Sequence, residues 1–318
     1  MSSMIRYFLL FIAIACSSCQ NNSIEKVHLM ESKDLIPEGI TIVGQTAFIS
    51  SIHKNKIVQF NLKDHKIQDF IESNQYGFKS GVGIFAKDSL LFALTNDLNA
   101  DSLTSTLFVF DINQKKLVKT FELKDSVKHF LNDLTINALN QVFITDSKQH
   151  KIYKLDYPNG YIEEYLAQSE NKYPNGITLS KDNKKLFIAS ENNGLRIVDI
   201  ATKKILNKPS LETVGLDGIK YNNGKIYAIR NADKSIEKHK LFVISLTDNE
   251  EDIKKVDVLI ERHPLFNVPT TLDITDGYIY MIANSQMDNL NQLTNTIIDS
   301  TILTNTYILT IKCKDNNL

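Results

Sequence analysis

The strongest constraint in this sequence is a repeat. Six times, a polar or small pair stands immediately before a short apolar run. The openings are Pro37-Glu38-Gly39-Ile40, Gly81-Val82-Gly83-Ile84, Leu131-Asn132-Asp133-Leu134, Pro174-Asn175-Gly176-Ile177, Leu216-Asp217-Gly218-Ile219 and Pro269-Thr270-Thr271-Leu272. They are separated by 44, 50, 43, 42 and 53 residues, and a period of roughly 40–50 residues with several strands per unit is the mark of a β-propeller blade. Further apolar runs follow each opening, such as Thr46–Ile52 and Lys56–Asn61, or Lys225–Ile229 and Lys240–Leu246. Turn pairs punctuate them: Asp182-Asn183, Asn223-Gly224 and Asp276-Gly277. Helical periodicity is almost absent, so the chain reads as all-β. Six openings predict a six-bladed propeller. The run Ile24–Met30 precedes the first opening and is expected to supply the outer strand of the last blade, beside Tyr307–Lys312. Two separate sandwiches would not carry one period through the whole chain.

Composition narrows the function classes. Lys+Arg is 36 and Asp+Glu is 37, so no charge excess is available to hold nucleic acid. At 42 % hydrophobic and 23 % charged, the chain is neither disordered nor a polytopic membrane protein. Two of its three cysteines lie at the extreme N-terminus, which rules out a disulfide framework. There, Arg6 precedes the apolar run Tyr7–Ala15, and Ala13-Ile14-Ala15-Cys16 follows the pattern of small residues before a cysteine. The run is too short to span a bilayer and fits the apolar region of a secretory signal. It resembles a bacterial lipoprotein processing box, with Cys16 as the lipidated residue and Cys19 as the alternative. A plain secretory signal is the simpler reading. Residues 1–19 are thus expected to be a signal, and residues 20–318 a single propeller domain. The protein is expected in a bacterial cell envelope (periplasm or outer membrane), touching the membrane only through a lipid anchor.

In a propeller the innermost strand of each blade begins near one mouth of the central channel. Residues at one repeat offset therefore converge on the axis. At that offset stand Glu38, Asn132, Asn175 and Asp217. Each dipeptide alone is an ordinary turn signal. Four side-chain oxygens from four blades at one phase instead suit a hard divalent cation, Ca²⁺ above all, with ligand positions left for water or substrate.

These openings, with segments such as Pro174–Ser190 and Leu216–Asn231, resemble the regucalcin, gluconolactonase and luciferin-regenerating-enzyme family of six-bladed propellers. The resemblance covers most of residues 34–290 and is clearest in blades three to five. It implies that Glu38, Asn132, Asn175 and Asp217 hold a divalent metal. It also implies hydrolysis of a lactone or ester, with Asp217 as a base as well as a ligand. Two departures stand out. Where sugar-lactone members tend to carry an arginine, this chain has His129-Phe130-Leu131, which points to a more apolar substrate. The acidic residue usual in the second strand of the first blade is absent at Ser50-Ser51-Ile52-His53.

Several further residues are candidates. His129 is three residues before a proposed ligand and is a candidate base or substrate contact, although a lone histidine more often caps or packs. Phe130, Arg230 and Asn284 are candidate substrate-lining residues. The stretch Met287–Thr304 is long for a blade loop and is a candidate cover for the site. No Gly-rich phosphate loop, nucleophile elbow or zinc-binding helix appears. The rival to a hydrolase is a non-catalytic surface propeller that binds a protein or small ligand, with any metal structural.

Overall fold

The computed structural model describes residues 24–98, 102–167, 172–231 and 238–314. Cys16 and Cys19, and with them the signal and lipidation expectation, lie outside the described residues. Among the described residues no helix is long and apolar enough to cross a membrane.

The strands form six antiparallel sheets, one per predicted blade, plus a two-stranded ribbon. Blade one is β2–β5 (Pro37–Val43, Thr46–Ser51, Lys56–Asn61, Ile67–Ile71), and blade two is β6–β9 (Ser80–Lys87, Leu90–Asn96, Thr104–Asp111, Lys116–Lys124). Blade three is β10–β13 (Leu131–Ile136, Gln141–Asp146, Lys151–Asp156, Glu163–Leu166). Blade four has three strands, β14–β16 (Pro174–Leu179, Lys185–Ser190, Gly194–Asp199), with a single bridge from Val198 to Ile205 in the fourth position. Blade five is β17–β20 (Leu216–Asn222, Lys225–Arg230, Lys240–Leu246, Ile253–Glu261). Blade six runs β21 (Leu272–Thr275), β22 (Tyr278–Ile282), β25 (Thr306–Lys312) and then β1 (Ile24–Met30). Here β1 pairs antiparallel with β25, from Met30 opposite Thr306 to Ile24 opposite Ile311. The ribbon β23–β24 (Leu290–Asn291, Thr296–Ile297) sits in the connection between β22 and β25.

The middle strands read as unbroken apolar runs because each faces a neighbouring blade on both sides. Leu91, Phe92, Ala93 and Leu94 of β7 are all buried. Outer strands face solvent and tolerate charge, as β9 does with Lys116, Lys119 and Glu122. Tight hairpins join inner to second strands. Asn223-Gly224 and Asp276-Gly277 both take positive φ, as a two-residue turn matched to strand twist requires. Six apolar clusters fill the six interfaces between blades, from Ile40, Phe60 and Ile308 between blades six and one to Ile229, Phe266 and Leu309 between blades five and six.

The inner strands β2, β6, β10, β14, β17 and β21 neighbour one another around the channel. Five of them share one irregularity. The register slips near the start of the strand, between Pro37 and Ile40, Gly81 and Ile84, Leu131 and Leu134, Pro174 and Ile177, and Leu216 and Ile219. An extra residue at each point makes a β-bulge, which bends the strand and re-aims a side chain. The second bulge residue is glycine in four of these blades because the next blade's backbone presses against it. A Cβ on Gly176 would collide with the Asp217 carbonyl and lie 2.7 Å from Ile219 N. These glycines have no positive φ, so close approach alone demands them. Gly176→Ala is accordingly expected to lower unfolding stability by about 1–3 kcal/mol, read as a lower urea midpoint with an unchanged slope.

Candidate functional site

The bulges bring the four predicted oxygen donors together. Glu38, Asn132, Asn175 and Asp217 line one small cavity of about 10 Å³ on the channel axis, with Gly39, Gly83, Asp133, Gly218 and Thr271 completing its wall. Larger hollows lie on the outer surface, such as one lined by Asn223, Lys225 and Lys254, and they contain none of these side chains.

Each donor is held by its neighbours. Asn132 Nδ2 donates to Ser147 Oγ at 2.9 Å, and Ser147 Oγ donates to the Pro174 carbonyl at 2.6 Å. That fixes the amide of Asn132 and leaves its Oδ1 for the cavity. Asn231 Nδ2 donates both to Asp217 Oδ2 and to the Pro269 carbonyl. Asn175 also hydrogen-bonds to Asp217. The bulge backbones are tied from below. Gly39 N donates to Ser50 Oγ, which donates to the Val82 carbonyl of the next blade. Asp133 N donates to Thr145 Oγ1 at 2.9 Å, which donates to the Asn175 carbonyl at 2.7 Å. Here Ser50, where an acidic residue was expected, acts as a blade-to-blade strut.

Asp133 is the residue that sequence reasoning missed. It occupies the bulge position that is glycine in blades one, two, four and five. Its carboxylate faces blade four, accepting from Leu134 N at 2.8 Å and from Ile177 N at 3.1 Å. The signal was visible as the one Asn-Asp among Asn-Gly and Asp-Gly openings. Asn231 and Ser147 left no such trace, because their positions depend on which second-strand end reaches the bulge.

The site concentrates negative charge out of water. Glu38 as a residue is half-buried, but its Oε2 is inaccessible and has no hydrogen-bond partner. Burial first, and then the charges of Asp217 and Asp133, hold its carboxyl well above the usual carboxylate range. Asp217 is pushed up to about 7, chiefly by burial and also by the charges of Asp133 and Glu191, against the pull of hydrogen bonds from Asn231 and Asn175. Asp133 is raised by burial, which outweighs the nearby charge of Lys220 and two backbone hydrogen bonds. Lys220, on β17, reaches across to the Phe85 ring of the opposite blade, 5.7 Å from its centroid.

Among the described residues no group of three or more His, Cys, Asp or Glu side chains is disposed to hold a metal. Asp133 spends its oxygens on backbone N–H groups, so a cation here would rest on two carboxylates and two amides. That donor set still fits a hard divalent ion. It is all oxygen, it includes the buried unpartnered Glu38 Oε2, and its like charges repel until a cation separates them.

The other candidates lie apart from this cluster. His129 is buried and does not line the cavity. Its Nδ1 is 2.6 Å from Asp146 Oδ2, and its Nε2 is 3.1 Å from Asp125 Oδ1, a contact at ion-pair distance but poorly aligned for a hydrogen bond. Burial opposes its charge, but Asp146 and then Asp125 outweigh burial and raise its pKa. It is held as a clamp between blade three and the loop before it, with neither nitrogen turned to the cavity. Phe130 is half-buried in the apolar cluster of blades two and three, and Leu131 is wholly buried there. Arg230 ends β18, opposite Leu216 and Lys240. Asn284 is buried and fully engaged, donating to Thr304 Oγ1 and the Asn305 carbonyl and accepting from Tyr307 N. It secures the roots of the long blade-six connection and does not face the cavity.

No known family signature matches the sequence, and no curated protein does. Solved structures do match in fold. The calcium-binding protein regucalcin from Agrobacterium tumefaciens aligns with a TM-score of 0.62 at 15 % identity, over 92 % of this chain and 96 % of that one. A luciferin-regenerating enzyme aligns at 0.61 and 12 % identity, over 91 % and 97 %. A gluconolactonase from Xanthomonas campestris aligns at 0.61 and 10 % identity, over 91 % of each chain. The chain thus has the six-bladed architecture of the proteins its motifs resemble.

The acid cluster sets a pH dependence. A carboxyl whose folded pKa is raised, as that of Asp217 is, stabilises the folded form below its unfolded pKa near 4. That contribution is lost as pH rises through the folded value near 7. Metal-stripped protein is therefore expected to lose melting temperature between pH 4 and 7. Asp217→Asn should flatten that slope; an equally steep slope in the variant, measured by scanning calorimetry, would assign it elsewhere.

Proposed function

We propose that the protein is a metal-dependent hydrolase acting on a lactone or ester in the propeller channel. The observation that carries this reading is the buried, unpartnered Glu38 Oε2 beside Asp217, with the amides of Asn132 and Asn175 at the same level. Glu38, Asn132, Asn175 and Asp217 would hold a divalent cation, Ca²⁺ by the hardness of the donors. When bound, such an ion polarises a carbonyl oxygen and stabilises charge that develops on it. The chain itself supplies position and proton transfer. Asn231 and Asn175 orient the Asp217 carboxylate, which would take a proton from the attacking water. Water adds to the carbonyl carbon, the ester C–O bond breaks, and the proton on Asp217 passes to the leaving alkoxide. Ser147 keeps the amide of Asn132 from turning, so one face of the cavity always presents oxygen. The apolar side chains of Phe130 and its neighbours favour a less hydroxylated substrate than a sugar lactone.

The test begins with metal. A ligand bound only by the folded form stabilises it by about 2.7 kcal/mol at a hundred times its dissociation constant. Ca²⁺ added to chelator-stripped protein is expected to raise the melting temperature. Asp217→Ala and Glu38→Ala should abolish that rise. A panel of lactones and aryl esters should then show turnover that chelator removes and Asp217→Ala loses by at least a hundredfold. A folded protein that binds no divalent ion and turns over nothing would leave a binding propeller as the better account.

We further propose that the protein is exported and lipid-anchored through Cys16. In bacteria fed radiolabelled palmitate, the full chain is expected to incorporate label and Cys16→Ser to lose it. Label retained in that variant but absent in Cys19→Ser would move the anchor.

A further inference from the structure

One connection breaks the sixfold pattern. The links from second to third strand span residues 52–55, 147–150 and 191–193 in blades one, three and four, but residues 283–305 in blade six. All of these links leave from the end at which the inner strands begin, which is the mouth above the oxygen donors. The blade-six link is ordered from root to tip. At its roots Thr304 N donates to Gln286 Oε1 at 2.8 Å, and Gln286 Nε2 donates to the Lys33 carbonyl at 3.2 Å. In mid-course Asn289 Nδ2 donates to the Asp299 carbonyl, and Asp299 N donates to Asn289 Oδ1. Its tip reaches blade one, where Asn295 Nδ2 donates to the His53 carbonyl at 3.2 Å and the Asn295 carbonyl is 3.0 Å from His53 Nδ1. It borders blade two as well, across a hollow lined by Leu98, Ser80 and Leu293.

The inward side of this strap is apolar. Met287, Leu290, Ile297 and Leu303 belong to one cluster with Ile36, Ile52, Val82 and Phe130. Val82 holds the channel offset in blade two, the position that carries an oxygen donor in four other blades, and it is fully buried. Among the described residues, hydrocarbon of the strap therefore packs over the mouth ends of blades one to three. We propose that the strap determines specificity. It makes one wall of the entrance, which excludes bulky or charged molecules and favours compact, weakly polar ones with an apolar substituent to lay against Phe130, Met287 and Ile297. This deepens the hydrolase reading in its choice of substrate, but the wall can be tested without any turnover.

The test is thiol labelling of Phe130→Cys in the full chain carrying Cys16→Ser, Cys19→Ser and Cys313→Ser. Two forms are compared, one with the intact strap and one with residues 291–297 replaced by two glycines. Iodoacetamide is the small neutral probe, and a sulfonated stilbene maleimide is the bulky charged one. With the strap intact, the bulky probe is expected to lag behind its rate on a surface cysteine at least tenfold more than the small probe does. Trimming the strap should remove that discrimination, and Asn295→Ala should reduce it. Near-ultraviolet circular dichroism confirms that the trimmed form stays folded. Equal discrimination in the intact and trimmed forms overturns the proposal. Loss of discrimination with no hydrolysis of any ester overturns the hydrolase reading and leaves the wall standing.

Discussion

The structure depends on how closely adjacent inner strands approach at their bulges. At each bulge a backbone carbonyl of one blade meets a residue with no side chain in the blade before it. Ser50 and Thr145 add hydroxyl struts across two of the same seams. This contact fixes the radius of the channel, and the radius decides which side chains meet. Each bulge also turns one residue toward the axis. The same irregularity thus packs the ring and builds the cavity, so a change that relieved the crowding would also disperse the donors. At Asp133, the exception, a carboxylate reaches across the seam to bind the next blade's backbone, and the structure accommodates a third buried acid near the site.

That accumulation of acid works against stability. Burying like charges costs free energy unless they are neutralised or paired. Elsewhere the chain avoids the problem. Lys56 meets Asp69 and Lys240 meets Glu261 where a third strand pairs with the outer one, and water screens them there. Buried His129 lies between buried Asp146 and the exposed Asp125, so the burial of the first two is compensated by opposite charge. Among the described residues, only on the axis do raised carboxyls gather without a matching cation within bonding reach, and Lys220 answers only part of their charge. Perturbed acids of this kind mark functional sites more often than structural ones.

Much of this was legible in the sequence, and for a physical reason. The period fixed the number of blades, because each blade must supply one inner strand. The repeat phase then brought Glu38, Asn132, Asn175 and Asp217 together across intervals of more than forty residues. What stayed hidden depends on contacts between repeats. His129 shares a segment with Asn132 and still turns away, because Asp146 of the neighbouring strand captures it. Asn284 sits where a mouth residue was expected and is consumed by the strap it secures. Asn231 could not be singled out, since nothing in an Arg-Asn pair shows that its amide reaches Asp217. The length of the blade-six link was plain, but its path over blade one rests on contacts such as Asn295 with His53 and Leu290 with the Ile36–Ile52 cluster, which no local pattern reveals.

The pairing of β1 with β25 has a consequence for how the molecule presents itself. Strand β21 runs from the mouth toward the base, β22 returns, β25 descends and β1 climbs again. Ile24 is therefore on the base, across the thickness of the disc from Glu38. Any support that grips the polypeptide just ahead of Ile24 would hold the disc from behind, with its opening turned outward to whatever drifts past.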